Sequence, residues 1–261
     1  MRRGGRVLAG LIVLAMSGSV SASPQEKPKP VTDLARQFGD ATNPENISTT
    51  LEIVFVLTVL SLAPALLVMV TSFTRIVIVL SFVRRAIGTQ ELPPNPVITG
   101  LSLLLTFMVM MPTFSAIKRD ALDPYTSPAR EKQISQGEAF TRAAAHLRTF
   151  MFKHVRARDL ALFMDITKQP RREGGWAQDD VPTEVLIPAF VISELRRAFI
   201  MGFALFLPFL VIDLVVSATL VSMGMLVLPP IFISLPFKIL LFVLVDGWHL
   251  VIGSLVQSFY E

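Results

Sequence analysis

The sequence predicts an all-α membrane protein in which two apolar helical hairpins flank a helical extracytoplasmic domain. Three observations carry that prediction. The 261 residues are 52% hydrophobic and only 17% charged, below the roughly one quarter usual in soluble domains. The apolar residues come in long blocks, and most charges gather between them. Proline-rich breaks then divide each block in two.

The elements follow in order. "MRRGGR", the apolar run "VLAGLIVLAM" and the small residues "SGSVSAS", with Val20 and Ala22 at −3 and −1, predict a secretory signal peptide over residues 1–22. Cleavage there places the new N-terminus outside the cytoplasm. Residues 23–50, polar and proline-rich, read as a flexible extracytoplasmic segment. The first apolar hairpin is expected over residues 51–117. Ile53 to Thr74 is uncharged and long enough for a span, with Pro64 in its middle. Arg75 follows, then Arg84 and Arg85, then "TQELPPNP", which reads as a non-helical turn. Leu92 to Ile117 is again uncharged, with an interruption expected at Pro112. The two arginines place the turn in the cytoplasm.

Residues 118–185 are expected to form a polar periplasmic helical domain. Ala139, Ala143, Leu147, Phe150 and Met151, then Leu160 and Phe163, recur at helical spacing and predict two or three amphipathic helices. The segment is too long for the positive-inside rule to govern, so counting spans from an outside N-terminus puts it outside. Residues 186–261 form the second apolar hairpin, divided at Pro229–Pro230 and again at Pro236.

Composition excludes several functions. With no cysteine, disulfides, thiol catalysis and thiolate metal sites are absent. The net charge of +4 comes without aromatics interleaved among Lys and Arg, which argues against nucleic-acid binding. No nucleophile elbow, P-loop, HExxH or dinucleotide fingerprint occurs, so no catalytic residue, metal or cofactor is expected. Asp246 and His249 alone are too few for a metal. His146 and His154 are expected on solvated helix faces.

The informative residues are charges in apolar sequence. A charge near the centre of a span costs roughly 2.5–3.5 kcal/mol on insertion scales. The second block holds Glu194, Arg196, Arg197, Asp213, Lys238, Asp246 and His249. Glu194 meets Arg197 one turn on. Glu194 and Asp213 lie about 28 Å apart along a straight helix, out of reach of a single Lys238. Either Pro208 breaks the helix, or one carboxylate pairs with a neighbouring copy. Arg75 likewise needs an acidic or carbonyl partner on another helix or subunit. A second unusual feature is "SMGMLVLPP", where Gly224 and Pro229–Pro230 break the helix amid apolar residues. Irregular backbone at that depth is tolerated where it is buried in protein or lines a cavity, and methionine moulds to variable shapes. A different reading is a secondary ion or proton transporter using Asp213, Lys238, Asp246 and His249, but such folds usually carry internal repeats and more spans than this chain.

"TSFTRIVIVLSFVRRAIGTQELPPNPV", "PAFVISELRRAFIMGF" and "ISLPFKILLFVLVDGWHLVIGSLVQSFY" together resemble the FliP family of flagellar and type III secretion export-gate proteins, from about Leu51 to Glu261. The resemblance implies a non-enzymatic homo-oligomer that joins FliQ and FliR in the flagellar basal body at the bacterial inner membrane. Exported unfolded flagellar proteins would pass through it. It further implies helices tilted and raised largely toward the periplasmic side in the assembled gate. Glu194, Asp213 and Lys238 match the family's buried intersubunit charges, and Arg75 is grouped with them. Met223, Gly224, Met225, Leu226 and Val227 fall on the loop that closes the pore as a gasket. Met225 matches its first methionine, while Leu226 and Val227 stand where further methionines are common. Pro96 and Ile200 replace residues that are usually polar.

Overall fold

The computed structural model describes residues 54, 56–58, 60–62, 64–65, 68–89, 92–127, 133–168, 176–225 and 227–260. The expected signal peptide and the extracytoplasmic segment of residues 23–50 lie outside these. The described residues up to Leu60 are helical, and Thr58 Oγ1 donates to the Val54 carbonyl at 2.7 Å. Ser61–Glu261 forms a separate unit and contains every element named below.

Helix α1 spans Phe73–Ile87. Its buried residues are Arg75, Ile76, Val79, Leu80, Val83, Ala86 and Ile87, a stripe at helical spacing. Arg75 therefore points into the core by its position in the repeat. Helix α2 spans Asn95–Ile117, with Pro94 before it and Pro96 in its first turn, where a missing N–H costs nothing. "TQELPPNP" is thus a turn only as far as Pro94. A π-helical turn at Lys118–Leu122 and a short turn at Asp123–Tyr125 follow.

Helix α3 spans Gln136–His154, and Ser135 caps it by accepting the Glu138 N–H at 3.2 Å. Helix α4 spans Ala157–Ile166. After a 3-10 turn at Gln178–Asp180, helix α5 runs 40 residues, Thr183–Ser222. Helices α6, Pro230–Leu244, and α7, Gly247–Gln257, complete the chain.

Several breaks sit elsewhere than the prolines suggested. Pro112, Pro188, Pro208 and Pro236 all lie inside helices. Each removes one backbone hydrogen bond, and neighbouring helices absorb the disturbance. Real breaks occur at Thr71–Ser72, ahead of α1, and at Val245–Asp246, where Asp246 takes a positive φ of 50° and α6 and α7 meet at 64°. The expected uninterrupted helix through Thr74 is therefore corrected, and the last apolar stretch is two helices. The boundary expected at residues 185 and 186 falls inside the first turn of α5.

Two cores follow. Ile76, Val79, Val83, Leu105, Phe209 and Leu255 join α1, α2, α5 and α7. Met151, Leu160, Met164, Val185, Leu186 and Phe190 join α3 and α4 to the N-terminal part of α5. Phe150 packs against both. The stretch Asn95–Tyr125 and helix α5 are each long and apolar enough to cross a bilayer, and the bent α6–α7 pair meets the same test as one span. Exposed apolar side chains cover these helices, including Leu104, Phe107, Phe203, Leu214, Leu240 and Val243. The fold is that of an all-α membrane protein.

Close packing of α1 on α5 depends on Gly202, since a Cβ there would lie 2.6 Å from Cγ of Phe82. Phe82 in turn stacks edge-on against Phe199, with centroids 5.5 Å apart. Gly202→Ala gains about 0.5–1 kcal/mol of helix propensity but overpacks the contact, at about 1–3 kcal/mol. The substitution is expected to lower the melting temperature in detergent, and to raise it in a Phe82→Ala background. A fall of equal size in both backgrounds refutes the contact.

Candidate functional site: buried charges and an apolar hairpin tip

Arg75 has no solvent exposure, and neither does Glu194. Nε of Arg75 donates to Glu194 Oε2 at 2.8 Å and Nη2 donates to Oε1 at 2.5 Å, a bidentate pair. Nη1 donates to the Ser258 carbonyl at 3.0 Å and to Ser258 Oγ at 2.9 Å. The guanidinium carbon lies 3.8 Å from the centroid of the Phe259 ring, a cation–π contact. Arg197 adds a longer bond to Glu194 at 3.4 Å. One guanidinium therefore ties α1, α5 and the turn after α7 together.

The second pair lies farther along α5. Lys238 Nζ donates to Asp213 Oδ2 at 2.6 Å, and Ser234 Oγ donates to Oδ1 at 2.7 Å. Ser234 and Lys238 lie one turn apart on α6, so a single face of that helix saturates the carboxylate. Lys238 is buried, whereas the Asp213 side chain keeps 34% of its exposure. As the spacing required, Lys238 does not reach Glu194. Pro208 does not break α5, however, and both carboxylates find cations within one chain, so no neighbouring copy is needed to neutralise them.

Those two pairs clasp a hairpin whose tip is apolar. Helix α5 ends in a Schellman motif: the Met225 N–H bonds the Leu220 carbonyl and the Gly224 N–H bonds the Val221 carbonyl, both at 3.0 Å. Gly224 supplies the left-handed residue, with φ 73°. Met223 is 67% exposed and Val227 is 93% exposed, with Met225 also exposed. Leu226 lies outside the described residues. Asp246 and His249 are exposed and far from forming a metal centre, since no cluster of three ligand-type side chains occurs among the described residues.

Other polar anchors were not anticipated. Asp159 is buried, holds Arg156 through bonds of 2.8 and 2.7 Å, and accepts Ser193 Oγ at 2.7 Å. Burial pushes its carboxyl up, but the bonds from Ser193 and Arg156 outweigh that and hold it below the usual carboxylate range. Arg148 binds the Thr183 hydroxyl and the carbonyls of Gln178 and Val181, fastening α3 to the start of α5. Ser234 carried a legible signal in its spacing from Lys238. Ser258, in a short C-terminal run, carried none. His146 meets Asp120 at 3.1 Å. His154, expected in solvent, is 6% exposed. It lies between Phe150 and Phe259, with centroids at 4.7 and 5.6 Å.

Removing one partner of a buried pair costs about 3–5 kcal/mol, much of it from the orphaned charge. Glu194→Gln and Asp213→Asn are each expected to lower thermal stability in detergent on that order, because each strands a buried cation, Arg75 or Lys238. A variant as stable as the unaltered chain refutes the role of the pair it breaks. A pH effect follows from His154. Burial first, then the positive charges of Arg75, Arg197 and Lys153, push its imidazole down from 6.5 to about 4. Above pH 6.5 the ring is neutral folded or unfolded. As pH falls from 6.5 to 4, the unfolded chain takes up a proton that the folded chain refuses, and stability drops. His154→Phe is expected to flatten that part of the melting curve against pH. Unchanged slopes count against it.

The FliP family model matches residues 56–255. The chain is 53% identical to the flagellar biosynthetic protein FliP of Bacillus subtilis over 84% of its length and 96% of the relative's. Against the Aquifex aeolicus protein of the same name, identity is 48% over 82% of this chain and 87% of the relative. The Borreliella burgdorferi protein is 43% identical, over 84% and 85% respectively. With a match this long running through every helix of the clasped frame, the chain belongs to the FliP family.

Proposed function

We propose that this chain is a core, non-enzymatic subunit of the flagellar type III protein export gate. Several copies together with FliQ and FliR would enclose a channel in the bacterial inner membrane, with a large portion on the periplasmic side. Unfolded flagellar subunits would pass through it, and the loop Met223–Val227 would close it. The observation that carries this reading is the apolar tip held on a charged frame. Asp213 sits ten residues before Met223, about 15 Å back along α5, so the tip can yield without disturbing the ion pair. Apolar constrictions exclude ions by dewetting, and methionine side chains adapt to whatever passes. Leu226 and Val227 make the seal stiffer than a run of methionines would. In this reading Glu194, Asp213, Lys238 and Arg75 hold each copy in the shape that presents its exposed apolar faces to its neighbours, and Asp213, partly open, is the charge nearest to an intersubunit role.

Co-expression with FliQ and FliR tests the proposal. A stable complex whose mass requires several copies of this chain is expected, and a monomer that retains neither partner overturns it. Met225→Ala should leave that complex intact and raise its ionic conductance in planar bilayers. Lys238→Ala should prevent assembly. Unchanged conductance in the first variant removes the loop's sealing role.

A further inference from the structure

A cleft of about 390 Å³ lies between α2, α3 and the chain's C-terminal turn. Val109, Pro112, Thr113 and Ala116 form its α2 wall, at helical spacing. His146, Thr149, Phe150, Lys153 and His154 form its α3 wall, also at helical spacing, and Phe259 and Tyr260 close one end. The two facing stripes leave a gap of ligand size between them.

Of its polar groups, His146 pairs with Asp120, and Thr149 bonds the Ala145 carbonyl and Gln178; two others are unspent. Lys153 is exposed and makes no ion pair or hydrogen bond among the described residues. His154 is more than nine-tenths buried, lies between the rings of Phe150 and Phe259 and makes no hydrogen bond among the described residues. The adjacent acid, Asp120, is occupied by His146 and Arg119. The remaining lining is largely apolar. The α2 wall belongs to a stretch long and apolar enough to cross a membrane, and Phe107, Met108 and Met111 on the same helix are exposed and apolar.

We propose that this cleft binds one anionic phospholipid, with acyl chain against Val109, Pro112 and Phe150 and the phosphate on the Lys153 ammonium. A basic pocket beside a spanning helix is a recognised seat for acidic headgroups. The cleft demands both features at once: an apolar body longer than a headgroup and a single negative charge. His154 contributes a hydrogen-bonding nitrogen and no charge.

The test is native mass spectrometry of the full chain in detergent, titrated with phosphatidylglycerol or phosphatidylcholine of identical acyl chains. Phosphatidylglycerol is expected to bind at a concentration roughly fivefold lower, the ratio that one lysine at a membrane surface supplies. Lys153→Ala, at an exposed position, should erase that preference and leave weak binding of both lipids. Ala116→Phe should fill the cleft and abolish both. Equal binding of the two lipids to the unaltered chain, or binding unchanged in both variants, overturns the proposal. So does inorganic phosphate raising the melting temperature as much as phosphatidylglycerol does, because the apolar wall then plays no part.

Discussion

The guanidinium of Arg75 is the constraint on which the rest of the structure depends. A charge with no solvent exposure is tolerable only when nearly every donor is used, and here the carboxylate of Glu194, both oxygens of Ser258 and the face of Phe259 surround it. A buried ion pair contributes little net stability, because desolvation offsets its Coulomb energy. Its effect is on register. Sliding α5 by one residue against α1 rotates Glu194 by about 100° and leaves both charges alone in apolar surroundings. The close approach of Gly202 to Phe82 requires the same register, so the ion pair and that contact together fix how α1 lies on α5.

The contacts of the same residue extend outward. Phe259, stacked on Arg75, also packs edge-on against His154, which meets Phe150, which meets Phe190 of α5. This run of rings connects the membrane-spanning frame to α3. The Asp213–Lys238 pair works differently. It joins α5 and α6, leaves Asp213 partly exposed, and sits behind the hairpin tip. An enclosed, multiply bonded anchor fixes the body of the molecule, while a more open one supports the part that deforms in the proposed gate.

Sequence reasoning reached the fold class and the residues under electrostatic stress, because hydropathy and isolated charges are local properties. It failed where the outcome depended on three-dimensional neighbours. Proline marked breaks unevenly: Pro229–Pro230 and Pro94 stand at real ones, Pro112, Pro208 and Pro236 were absorbed, and Asp246 turned the chain by adopting a left-handed conformation, which aspartate enters more readily than most residues. The partner of Arg75 could be specified as acidic or carbonyl but not located, since 119 residues separate it from Glu194 and 183 from Ser258. His154 looked like a solvated helical histidine because its burial comes from Phe259, at the far end of the chain.

The length of α5 bears on how this chain sits in a bilayer. Forty residues make a helix of about 60 Å, against a hydrocarbon core of about 30 Å. Even at 40°, the upper end of observed tilts, it would rise about 46 Å. Part of it must therefore project beyond the hydrocarbon. The side chains say which part. Val185, Leu186, Ala189 and Phe190 are buried under α3 and α4, and Ser193 and Glu194 are held by Asp159 and Arg75, so protein covers the N-terminal third. From Phe199 onward the large exposed residues are apolar, including Ile200, Phe203, Leu207, Val211, Leu214 and Val215, and this portion needs either lipid or other subunits. The two carboxylates divide the same way: Glu194, in the covered part, is wholly enclosed by its own chain, while Asp213, in the uncovered part, is the one left open to whatever packs there.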